Sequence, residues 1–242
     1  MTFTVLGLTA LIVLSGSFIQ SACGFGHAVI CMSFMPLLMP FRTASILETV
    51  TAFFMVVYLT ARLFRYIDWK LLLPTVVVSA VFGFFGVSTL LALGESTLRR
   101  ILGVALLALA AYFIFFSSRV RLKGGVISGL IAGTVSGFLS GLFNIGGPPM
   151  VAYFLSVTDD KNVYNATLQA FFCFNTVSIF CIHLFRGSVT VDMIPLAACA
   201  VAGTGLGTLL GFVLFKRMTL ERLKQFIYAF MVVAGTYLLI FA

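Results

Sequence analysis

An all-α polytopic membrane protein, built as two inverted repeats that each hold a re-entrant or broken-helix hairpin and three transmembrane helices, is the fold the sequence predicts. Three observations predict it. Of 242 residues, 61% are hydrophobic and only 9% charged, with a mean hydropathy of +1.16, whereas a soluble domain carries about 25% charged residues. Two of the apolar segments are too short to cross a bilayer, and each follows a glycine-rich break. Those breaks recur 120 residues apart. The composition excludes a water-soluble domain, and it excludes disorder, which needs low hydrophobicity.

In chain order the apolar segments fall at 3–22, 28–39, 46–61, 71–93, 101–116, 126–143, 150–157, 168–184, 193–215 and 226–242. A crossing helix needs roughly 17 to 25 residues, so segments 28–39 and 150–157, with 12 and 8 residues, read as half-helices or re-entrant pieces. The breaks before them are Gly24-Phe25-Gly26 and Asn144-Ile145-Gly146-Gly147-Pro148-Pro149. Proline removes a backbone donor and glycine weakens a helix, so continuous helix is not expected there. No Lys or Arg precedes Arg42, so segment 3–22 lacks the basic flank of a signal peptide and reads as retained. Cys23, Cys31, Cys173, Cys181 and Cys199 lie within apolar stretches without a CxxC spacing, and they read as packing residues rather than metal or disulfide partners.

The repeat divides the chain at 1–120 and 121–242. Shifted by 120 positions, Phe18-Ile19-Gln20-Ser21 falls on Phe138-Leu139-Ser140-Gly141, and Gly24-Phe25-Gly26-His27 on Asn144-Ile145-Gly146-Gly147. Farther on, Pro74 and Gly86 match Pro195 and Gly207, and Thr97-Leu98-Arg99-Arg100 matches Thr219-Leu220-Glu221-Arg222. A hairpin that enters and leaves on one side, followed by three crossings, makes an odd count, so the second half must be inverted. If the short segments crossed fully, the halves would instead be parallel. The net charge of +8 orients the chain. With the 62–70 loop in the cytoplasm, Arg119, Arg121, Lys123, Lys161, Lys216, Arg217, Arg222 and Lys224 join it there, leaving Arg42, Arg99, Arg100 and Arg186 outside. Eleven of the 15 basic residues are then internal, as the positive-inside rule requires.

Inverted repeats with broken helices are the layout of secondary carriers, whose site lies near the midplane between the repeats. Two hairpins entering from opposite faces would bring Gly24, Phe25, Gly26 and His27 toward Asn144, Ile145, Gly146 and Gly147. Helix N-termini at about Ala28 and Pro149 would point backbone N–H groups and positive dipole ends at one place, which favours an anion. Gln20, Ser140 and Asn144 would add neutral donors, and Asn175, mid-span, is a further candidate. The series Gly129, Gly133, Gly137, Gly141 and Gly203, Gly207, Gly211 reads differently, as small-residue helix packing.

These residues resemble the TauE/SafE sulfite exporters. The resemblance rests on Gln20-Ser21-Ala22-Cys23-Gly24-Phe25-Gly26 and on Gly137-Phe138-Leu139-Ser140-Gly141-Leu142-Phe143-Asn144-Ile145-Gly146-Gly147-Pro148-Pro149, and extends over essentially the whole chain. His27 and Asn144 stand where that family commonly has small residues. The resemblance implies export of sulfite, sulfoacetate or a related sulfur-containing anion from a cell (inner) membrane.

Single polar residues carry weaker signals. His27 at a break could hold a proton or pair with an anion. Glu48 is an intramembrane acid, but Ser45-Ile46-Leu47-Glu48 also has the spacing of a capping box at a helix start, which is the preferred reading. His183 before Arg186 reads as interfacial. No nucleophile, base and orienter combination is present, so an enzyme is not expected, nor a metal or any cofactor. The expected partners are a small anion and the lipid bilayer, with proton or ion coupling, and not nucleic acid. The rival class is a non-transporting membrane scaffold or assembly subunit, which would not need paired helix breaks.

Overall fold

The computed structural model describes residues 3–116, 125–189, 193–214 and 220–241, and every described element is helical. The helices are α1 (Phe3–Cys23), α2 (His27–Leu38), α3 (Phe41–Leu63), α4 (Trp69–Ala92), α5 (Glu95–Ala111), α6 (Val126–Phe143), α7 (Gly147–Val157), α8 (Lys161–Phe185), α9 (Ile194–Leu214) and α10 (Leu220–Phe241). A 3-10 turn (Phe64–Tyr66) extends α3 and a π-helical turn (Tyr112–Phe116) ends α5.

Helix starts differ most from the apolar segments, because helices continue into polar caps that hydropathy does not register. Asp160 caps α8 by accepting from Asn162 N–H at 2.7 Å and Val163 N–H at 3.3 Å, eight residues before the apolar segment expected there begins. Asp68 caps α4 in the same way, from Lys70 N–H at 2.9 Å and Leu71 N–H at 3.2 Å. Helix α3 starts at Phe41 rather than near Ser45, because the Glu95 carboxylate accepts the Phe41 N–H at 2.8 Å. Ser45 and Glu48 therefore lie inside the helix, and the capping-box reading of this pair is corrected.

Among the described residues seven helices are long and apolar enough to cross a membrane, and the chain is a multi-pass membrane protein. Those seven include α1 and α6, which the sequence reading treated as hairpin legs. The legs are unequal, since α2 and α7 have only 12 and 11 residues, or about 18 Å of a core roughly 30 Å thick. Large apolar side chains such as Val77, Val81, Phe85, Ile127 and Ile131 face outward, toward lipid. Inside, hydroxyls satisfy themselves on their own helix, as Ser17 does on Val13 O and Thr208 on Thr204 O at 2.8 and 2.7 Å.

The main packing pairs are α4 with α6, α1 with α9, α5 with α10 and α3 with α8. Gly133, Gly137 and Gly141 lie in the first of these contacts and Gly203, Gly207 and Gly211 in the second, whereas Gly129 faces Tyr153 of α7. A Cβ at Gly137 or Gly141 would strike the carbonyl of Ser79 or Gly83, and one at Gly207 or Gly211 that of Leu14 or Phe18. They are the close-approach positions that small residues supply between membrane helices.

Helices α3 and α8 run antiparallel. Met55, Val56 and Leu59 pack against Phe172 and Cys173, and past the end of α3 the Asp68 N–H donates to Thr167 Oγ1 at 3.0 Å. The 62–70 turn thus lies beside the start of α8, where Lys161 stands. At the opposite end, Arg42 donates to Leu91 O at 2.6 Å, Arg186 to Ser88 Oγ at 3.0 Å, and Arg99 is 3.8 Å from Glu95. Arg119, Arg121, Lys123, Lys216 and Arg217 lie outside the described residues.

Candidate functional site

Helices α1 and α6 end alike. Gly24 (φ 82°) and Asn144 (φ 61°) both adopt the left-handed conformation, and their N–H groups donate to Gln20 O at 2.7 Å and Ser140 O at 2.8 Å. A left-handed residue closes a helix by satisfying a free carbonyl, and glycine and asparagine take that conformation most readily. Three-residue breaks follow, and the chain turns back into α2 and α7.

Each tip is fastened to a helix of the other half. Gln169 Nε2 on α8 donates to Gly24 O at 3.0 Å and to Asn165 Oδ1 at 3.3 Å. In the other direction, Asn144 Nδ2 donates to Ser45 O at 2.8 Å and Ser45 Oγ at 3.2 Å, while Thr49 Oγ1 donates to Asn144 Oδ1 at 3.4 Å. Ser45 and Thr49 stand 120 positions before Asn165 and Gln169. Both anchors lie in the first half of their helix, and those helices are antiparallel, so each tip passes the middle of the helix that holds it. Where the tips overlap, Phe25 lies against Gly147.

A cavity of about 50 Å³ opens between the tips, α3 and α8. At roughly 10 to 15 Å³ for each enclosed water, it holds a few waters or one small ion. Gln20, Phe25 and Gly26 line it from the first tip, Ser140, Asn144, Ile145, Gly146 and Gly147 from the second, and Asn175 from α8. Of the residues singled out in the sequence, Gly24 and His27 do not line it. No Lys or Arg is among the lining residues.

Several side chains take roles other than those their sequence context suggests. The His27 ring is 1% exposed, with Nδ1 3.2 Å from Ser17 Oγ and Nε2 3.1 Å from Thr51 Oγ1. It is fixed between α1 and α3, away from the cavity, because Gly16 leaves room for it there. Its backbone N–H is held too, by Gln20 Oε1 at 3.1 Å. Helix α2 thus gives its first N–H to Gln20 and presents the next ones, those of Ala28 and Val29, which border the cavity. Helix α7 starts at Gly147 rather than at Pro149, and Pro148 and Pro149 in its first turn have no N–H to offer. The positive helix end on that side rests on Gly147 and Met150. Asn144 spends its amide hydrogens on Ser45, so it positions the tip rather than serving as a free donor. Gln20 keeps its NH₂ without a partner among the described residues, and Asn175 Nδ2 donates to Ser79 Oγ.

Sequence reasoning missed Thr49, Ala52 and Val56 of the α3 wall and Phe172 on α8, while Glu48 beside them had the spacing of a cap. At the 120-residue offset Thr49 falls on Gln169, a signal that could have found it, whereas the apolar members carry none. His183 was read as interfacial and is fully buried, with neither ring nitrogen hydrogen-bonded among the described residues.

A family model described as sulfite exporter TauE/SafE matches residues 8–238, nearly the whole chain. No curated protein and no solved structure matches the chain.

Proposed function

Because the chain belongs to the TauE/SafE sulfite exporter family, we propose that it is a secondary transporter of the cell (inner) membrane, exporting a small sulfur-containing anion such as sulfite, sulfoacetate or a similar organosulfonate. The observation that carries this reading is the cavity between both hairpin tips, bordered by the Ala28 and Val29 N–H groups at the start of α2 and by neutral amides, with no Lys or Arg of its own. Oriented N–H groups and amide dipoles stabilise an anion without a counter-charge that would have to be left behind on release. The proposed ligands are the Ala28, Val29 and Gly147 N–H groups with the side chains of Gln20, Ser140 and Asn175. The limited volume fits a sulfite- or sulfonate-sized head group.

Residues 1–120 and 121–242 act in this proposal as inverted repeats that alternate access to the cavity. The support comes from the antiparallel α3 and α8, the reciprocal anchoring of the tips, and the basic residues grouped at the two ends of α4. Cysteines introduced at exposed Ser96 and Asp159 are expected to react with an impermeant maleimide from opposite sides of the membrane. Labelling of both from one side contradicts the inversion.

Transport itself is tested by reconstituting the protein in liposomes and measuring flux of sulfite, sulfoacetate, taurine and sulfate. Saturable flux of at least one sulfur anion, above protein-free liposomes, is expected. A scaffold or assembly subunit gives no flux for any of them.

A further inference from the structure

Glu48 is 3% exposed, yet its residue borders the central cavity. No hydrogen bond or ion pair holds its carboxyl among the described residues, whereas its carbonyl accepts from Thr51 Oγ1 at 2.9 Å. It is the one acid among the cavity's lining residues, and no Lys or Arg accompanies it there. The position 120 residues on is Leu168, so the acid belongs to one half alone. Its titratable neighbours are on α2, namely His27, whose ring is taken up by Ser17 and Thr51, and Cys31. The second tip, the cavity face of α8 and the described part of α9 bring no charged group. Glu95 and Arg99 of α5 lie at Phe41, about two turns away.

From this geometry we infer that Glu48 is a proton-binding site that fills together with the anion, so that one proton travels with each anion. The inference rests on the anion-transport reading above. An ionised carboxylate and an anion in one small, low-dielectric cavity repel each other strongly. Proton uptake removes that repulsion and turns the carboxyl into a further donor to the anion. On the far side the anion leaves, the carboxyl ionises, and the proton is released to the same compartment. For a divalent anion the pair still carries one negative charge, so an inside-negative potential drives it outward.

The test compares wild type with Glu48→Gln and Glu48→Asp in liposomes. Infrared difference spectra are recorded on adding sulfite, sulfoacetate or sulfate, and uptake is measured with and without an acidic exterior. Sulfite binds a proton itself near neutral pH, so for it the spectrum decides. In wild type each transported anion is expected to raise a protonated-carboxyl band, and an acidic exterior is expected to speed sulfoacetate or sulfate uptake about tenfold. Glu48→Gln should lose both the band and the acceleration, and Glu48→Asp should keep both with a displaced pH midpoint. If the anion moves in wild type without the band, or Glu48→Gln retains the band or the acceleration, the inference is overturned. The wild-type spectrum decides alone should Glu48→Gln fail to fold. If wild type moves no anion, the transport reading itself fails, and the proton site fails with it.

Discussion

Alanine at Gly146 is expected to cut anion flux by more than tenfold, whereas alanine at the adjacent Gly147 is expected to leave the folded protein intact. Gly146 has φ −90° and ψ 0°, a conformation open to any residue, so the constraint is space rather than backbone strain. A Cβ there would collide with Ser140 Oγ and with both the carbonyl and the hydroxyl of Ser136. Ser140 could rotate away, but the Ser136 carbonyl belongs to α6, and Ser136 Oγ already donates to Gly146 O. The second tip would have to move off α6, at a cost of about 1 to 3 kcal/mol by analogy with overpacked cores. At Gly147 the nearest atoms are Phe172 Cζ at 3.4 Å and Phe25 Cβ at 3.8 Å, an ordinary van der Waals contact. Thermal melting in detergent and flux in liposomes measured on both variants check this. Equal melting points and equal flux would mean that the tip need not sit where it does.

The contrast between these neighbours shows what the sequence could reveal. That a break existed, and that it recurred 120 residues earlier, was legible because glycine and proline interrupt an otherwise unbroken apolar chain. The spans of α6 and α2 were legible to within a residue for the same reason, since hydropathy ends where the helix ends. Starts such as those of α3 and α8 were not, because their caps are charged residues lying outside the apolar segment, and for α3 the cap comes from Glu95, 54 residues away. The site was partly legible. Gln20, Ser140 and Asn175 border the cavity as polar groups in an apolar chain were expected to, but polarity alone does not say which way a side chain turns. His27 turned toward Ser17 and Thr51 because Gly16 offered room, a fact of helix packing rather than of motif. Glu48 was misread because its spacing from Ser45 mimics a cap, and only the true start of α3 at Phe41 shows both residues to be mid-helix.

Asn144 separates backbone shape from side-chain anchoring, and its variants are expected to part those two roles. Alanine there must hold φ near 61°, which costs a non-glycine residue about 1 to 2 kcal/mol. It also deletes the bonds to Ser45 and Thr49, each worth about 1 kcal/mol net. Glycine deletes the same bonds but takes the left-handed conformation freely. Asn144→Gly should therefore melt several degrees above Asn144→Ala. Both should lose most flux, because without the tie to α3 the second tip no longer holds the Gly147 end of α7 against the cavity. Asn144→Asp keeps an acceptor for Thr49 Oγ1 but sets a carboxylate against the Ser45 carbonyl and beside the anion. It should be the poorest carrier of the three even if its melting point exceeds that of the alanine variant. Full flux in Asn144→Gly would show that the left-handed turn alone positions the tip and that the amide bonds to Ser45 are dispensable. A glycine variant no more stable than the alanine one would show that the turn is not held left-handed at all.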